Sequence, residues 1–148
     1  MKLTSNAFQH NGNIPEKYTC EGANVSPQLE ISQVPENTKT LALIMDDPDA
    51  PAGTWDHWVL FNMPANTTSI PEGTEPQGIP GKNSWGKTGY GGPCPPDREH
   101  RYFFKLYALD AELDLHNGTA KSQLERSMQG HILTKTELIG KYNKKANR

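Results

Sequence analysis

The sequence predicts an antiparallel, mostly β domain with a peripheral helix, and three observations predict it. Twelve prolines and thirteen glycines punctuate 148 residues, so long uninterrupted helices are disfavoured. Three apolar or alternating runs of strand length stand at residues 40–45, 57–63 and 101–109. Only one segment has helical periodicity, so strands and helices do not alternate as a parallel sheet requires.

Gln28 to Ser32 is the first strand expected, because Leu29 and Ile31 alternate with polar neighbours. Thr40 to Met45 is almost unbroken in its apolar character, which predicts a central strand covered on both faces. His57 to Met63 follows as a second strand closed by Pro64, and the two read as a wide hairpin. In Arg101 to Leu109 the even positions Tyr102, Phe104, Leu106 and Ala108 share a core face, while Arg101, Phe103, Lys105 and Tyr107 form an amphipathic one. The helix is expected at Ala120 to Gln129, with Leu124 and Met128 on one side, Ser122 and Glu125 in its first turn and Gly130 ending it. A strand near Ile132 to Ile139 completes the list, and the basic tail Lys141 to Arg148 reads as a solvated end.

Residues 1–148 fit one domain, and a chain of this length buries about 70% of its unfolded surface. Fifteen basic and seventeen acidic side chains leave a formal charge of −2, which lacks the electrostatic footprint of a nucleic-acid binder. No run approaches the roughly 20 apolar residues of a membrane span, and Met1 to Gly12 is polar, so a cytoplasmic protein is expected. Cys20 and Cys94 are expected as free thiols, with a bridge left open because their separation decides nothing. A redox switch is the sharper alternative, although no C-x-x-C spacing lowers a thiol pKa.

The chemistry concentrates in two loops. DPDAPAGTWD joins the central strand to His57, and antiparallel pairing would open Asp47 and His57 at one mouth. Gly86 to Glu99 is half glycine or proline and ends at His100. Glycines let successive N–H groups line a concavity, so Gly92 is expected to offer an amide to an anion. Asp47 would orient and charge His57 and His100, both imidazoles would donate to the anion, and Tyr102 would add a hydroxyl and an aromatic wall. Affinity for a permanently charged anion should then fall as pH rises through the histidine pKa values. Trp55, Trp58 and Trp85 read as packing residues, and His10, His116 and His131 as surface positions.

At these residues the chain resembles the phosphatidylethanolamine-binding protein family, in its bacterial and archaeal Raf-kinase-inhibitor-like branch. DPDAP at 47–51 with His57 and Trp58 is similar to the first family signature, and GYGGPCPP at 89–96 with His100 to Tyr102 is similar to the second. YTCEG at 18–22, Ser26 with Pro27, and FKLYALD at 104–110 resemble the microbial members. The resemblance implies a large antiparallel sheet packed with a smaller one, and a pocket for phosphate or a phosphorylated head group. Carried over, the pocket residues are Asp47, Asp49, His57, Gly92, Pro93, His100 and Tyr102, with Asp49 divided between touching ligand and holding its loop.

The leading functional reading is a binding module for a phosphate-bearing small molecule, lipid head group or phosphorylated peptide, which modulates a partner. A hydrolase using Asp47 and His57 is the enzymatic alternative, although no G-x-S-x-G element accompanies them. A metal site from His57, His100, Asp47 and Asp49 is chemically feasible but has no supporting spacing, so no metal or other cofactor is expected. A third reading is an inhibitor acting on a kinase or protease through its outer surface. A homodimer stays open.

Overall fold

Thr40–Asp47 is buried at every residue, and the rest of the architecture is arranged around it. In the computed structural model, which describes Met1–Arg148, the strands in chain order are β1 (Lys2–Thr4), β2 (Gly12–Asn13), β3 (Leu29–Ser32), β4 (Thr40–Asp47), β5 (Trp55–Pro64), β6 (Ser69–Ile70), β7 (Ile79–Pro80), β8 (His100–Leu109) and β9 (Ile132–Tyr142). The helix α1 (Lys121–Met128) lies between β8 and β9. Six strands form the larger sheet in the order β2-β9-β8-β4-β5-β7, and β1-β3-β6 form a smaller one. The fold is the mostly β, two-sheet architecture expected.

Because β4 pairs with β8 on one side and β5 on the other, its side chains alternate between two cores. Leu41, Leu43 and Met45 join the larger core with Leu3, Leu29 and Ile31 of the smaller sheet. Ala42 and Ile44 join a second core closed by Leu113, Leu124 and Met128. Each of the leucine, isoleucine and methionine side chains among them, fully withdrawn from water, contributes about 1.5–3 kcal/mol. On β8 the even residues Tyr102 to Ala108 all enter the larger core, as their spacing predicts.

Four details depart from expectation. The β2–β9 pair is parallel, Gly12 opposite Gly140, so the sheet is mixed at that edge. The cap of α1 is Ala120 with no side-chain hydrogen bond, and no acidic residue lies in the first turn, so Glu125 falls beyond the turn where it was expected. A bridge between Lys82 and Ala120 sets the start of the helix instead. Gly130, at φ +80°, does end it.

The tail is not simply solvated. β9 runs on to a buried Tyr142, whose hydroxyl donates to Glu21, and Asn147 Nδ2 donates to the Pro95 carbonyl at 2.9 Å. Cys20 and Cys94 are bridged, with Cα atoms 5.4 Å apart, which corrects the free-thiol expectation. Backbone pairing explains the approach: the Cys20 N–H donates to the Pro93 carbonyl at 3.1 Å. No helix is long and apolar enough to cross a membrane.

Candidate functional site

A bulge at the start of β5 decides where His57 points. Met45 lies opposite Trp58 and Asp46 opposite Asp56, so His57 is the extra residue between them. Asp56 turns to Lys121 at the start of α1, whereas Trp58 enters the larger core. His57 therefore shares a face with its neighbour Trp58 instead of alternating with it. That face carries Tyr102, whose ring centroid lies 5.3 Å from that of His57, edge to face. Trp85 closes the other side at 5.1 Å.

Asp47, His57, His100 and Tyr102 line one cavity of about 340 Å³. Trp55 and Trp85 stand at its rim in edge-to-face contact, 5.5 Å apart, and both are solvent-exposed. Their reading as packing residues holds for Trp58, which is fully buried, and is corrected for this exposed pair. His10, His116 and His131 are at the surface.

The two histidines have different surroundings. His100 Nδ1 meets Asp47 Oδ2 at 2.7 Å, with both side chains buried, and its Nε2 meets Asp97 Oδ1 at 2.7 Å. Asp47 Oδ1 accepts the Asp49 N–H at 2.8 Å, so this carboxylate holds His100 and its own loop together. His57 has no carboxylate partner. Its Nδ1 donates to the Gly91 carbonyl at 2.6 Å, and the Gly91 N–H returns to the His57 carbonyl. Burial pushes the His57 pKa down from its ordinary value, despite the opposing charges of Asp47, Asp46 and Asp56. Both the missing carboxylate partner and burial work against the expectation that Asp47 charges His57.

Tyr102 is fully buried, and its hydroxyl has no hydrogen-bond partner. The Cys94 amide approaches without completing a bond. Burial, followed by the Asp47 charge, drives the phenol pKa upward, so the hydroxyl stays protonated.

The other sequence candidates lie outside the cavity lining. The Gly92 N–H donates to Asn24 Oδ1 at 2.9 Å, and the Pro93 carbonyl accepts from Cys20. Asp49 makes a bidentate pair with Arg101, at 2.9 Å to both Nε and Nη2, and this partner holds its carboxyl down at about 2. No group of three or more His, Cys, Asp or Glu side chains converges in metal-binding geometry.

Sequence reasoning missed the segment that holds the glycine-rich loop. Tyr18, Cys20 and Asn24 fasten Tyr90, Cys94 and Gly92 by two hydrogen bonds and the disulfide. A Cβ on Gly92 would collide with Asn24 and the Tyr18 carbonyl, and one on Gly91 with Trp85. These glycines permit close approach of the loop to its neighbours. Asp97 was also missed, since an exposed aspartate in a polar run carries no sequence signal.

The profile of the phosphatidylethanolamine-binding protein family matches residues 4–143. A UPF0098 protein of Methanothermobacter thermautotrophicus is 49% identical over 97% of this chain and 99% of its own length. The crystal structure of CT736 from Chlamydia trachomatis, described as a homologue of phosphatidylethanolamine-binding protein, superposes with a TM-score of 0.94 at 44% identity over 96% of each chain. YbcL of E. coli, described as a member of the mammalian family, gives 0.90 at 32% identity over 97% of this chain and 98% of that one. The chain belongs to the phosphatidylethanolamine-binding protein family.

Proposed function

We propose that the cavity binds a phosphate-bearing small molecule or head group without transforming it, and that its occupancy modulates a partner. The observation that carries this reading is the Tyr102 hydroxyl, buried and unpartnered beside His57 in a cavity of about 340 Å³. A buried hydroxyl left without a partner costs about 1–3 kcal/mol, which a ligand oxygen would recover. The volume suits a head group, and the exposed rim of Trp55 and Trp85 suits the carbon attached to it.

Binding is favoured over turnover by the absence of a hydroxyl or thiol nucleophile of the serine, threonine or cysteine type. No serine or threonine lines the cavity, and the Cys94 sulfur is tied up in the disulfide. Asp47 reaches His100 instead of His57, so the pair invoked for a hydrolase is not hydrogen-bonded.

Calorimetric titration with inorganic phosphate tests the reading in wild type and Tyr102→Phe. Saturable binding at one site, weakened about tenfold by loss of the hydroxyl, is expected. Absence of saturable binding, or equal affinity in the variant, overturns it.

A further inference from the structure

The ring of His57 offers the cavity an acceptor, and this sets a requirement on whatever binds. The Gly91 carbonyl can only accept, so its 2.6 Å contact places a proton on Nδ1. Burial disfavours a second proton. Nε2 of the neutral ring is then a lone pair with no protein hydrogen-bond partner, on a residue that lines the cavity.

The surrounding charges do not reverse this. Asp46 and Asp47 approach from β4, Asp56 from β5, and His100 and Tyr102 from β8. Asp97 reaches this region only through His100. Asp46 and Asp56 are drawn to Lys121 on the opposite face of the sheet. No lysine or arginine lines the cavity, and both nitrogens of His100 are taken up by Asp47 and Asp97.

We propose that the site selects oxyanions that still carry a proton: His57 Nε2 accepts a hydrogen bond from P–OH while Tyr102 donates to another oxygen of the same group. The proposal rests on the phosphate-binding reading and deepens it from an anion site to one that distinguishes phosphate monoesters from sulfate esters. A sulfate ester has no proton near neutral pH, so its oxygen lone pairs would face the lone pair of Nε2. A site built to hydrogen-bond a ligand hydroxyl rejects an analogue without one far more strongly than an apolar pocket rejects a change of size.

The test compares two ligands of one shape, methyl phosphate and methyl sulfate, by calorimetry at fixed ionic strength and at pH 6 and 8. Methyl phosphate should bind at pH 6 at least about tenfold tighter than methyl sulfate. It should lose up to about fiftyfold by pH 8, as its second ionisation near 6 depletes the hydrogen-bearing form. Methyl sulfate should stay weak at both pH values. His57→Gln, whose amide can donate as well as accept, should bring the ratio towards one, whereas Tyr102→Phe should weaken both ligands and preserve the ratio. Equal affinities in the wild type at pH 6, or methyl sulfate binding that falls with rising pH, would overturn the proposal while leaving an anion site standing. Failure of both ligands to bind removes the phosphate reading as well. If His57→Gln does not fold, the wild-type ratio and its pH dependence decide.

Discussion

Asp47 and His100 meet at 2.7 Å across β4 and β8 with both side chains almost wholly buried, whereas His57 touches no carboxylate. The acid therefore holds one of the two cavity-lining imidazoles, His100, and leaves the other, His57, to the Gly91 carbonyl. Truncating one partner leaves the other charge or dipole buried alone. Asp47→Ala should cost roughly 3 kcal/mol of stability. Asp47→Asn, which keeps the shape, should cost less, and urea unfolding of both variants measures the difference.

Asp97 is half exposed and bonds Nε2 of the cavity-lining His100 without lining the cavity itself, so its negative charge lies one residue behind the wall. Asp97→Ala should tighten binding of methyl phosphate and methyl sulfate alike, by about fivefold, a gain that added salt reduces. Unchanged affinity would show that the carboxylate lies clear of the ligand path.

His57 gives an acid-side signature. Its folded pKa lies below the ordinary 6.5, so the unfolded chain takes up the proton first as pH falls. Its stabilising contribution is complete above 6.5 and declines as pH falls towards and through the folded value. In His57→Gln this part of the stability profile should flatten, as read by thermal unfolding between pH 7 and 5.

Asp49 acts lower on the scale. Arg101 holds its carboxyl at about 2 against an ordinary 3.8, so the ion pair stabilises the loop above the unfolded value. That contribution disappears as pH falls from about 4 through about 2. Asp49→Asn should remove this slope and leave phosphate affinity near wild type, because the side chain lies outside the cavity.

The Cys20–Cys94 bridge closes a separation of 74 residues. Protein purified without reductant should therefore contain no titratable thiol. Cys20→Ser with Cys94→Ser should lose stability by up to about 4.5 kcal/mol, the chain-entropy limit for a loop of this length. Two free thiols in the native protein would contradict the bridge.

Much of the fold was legible because its central strands have long, unambiguous patterns. The apolar run at 40–45 and the period-2 core face of Tyr102 to Ala108 are dictated by burial and appear as such. β1, β2, β6 and β7 span two or three residues each, too few for any periodicity to register.

At the site, antiparallel pairing brought Asp47, His57, His100 and Tyr102 to one cavity. Which hydrogen bonds they form was not legible, because that depends on the bulge at His57 and on the Gly91 carbonyl beneath it. The disulfide was hidden for a related reason. Residues 18–24 pair with the glycine-rich loop through backbone and side-chain contacts that no local pattern announces.

Side-chain ¹⁵N spectra of the histidines, recorded while methyl phosphate is added at pH 6, test the central claim most directly. The account predicts that free His57 is neutral with its proton on Nδ1, and that its Nε2 resonance moves saturably as the ligand donates to it. A doubly protonated His57 before addition, or an Nε2 resonance indifferent to saturating ligand, would contradict it.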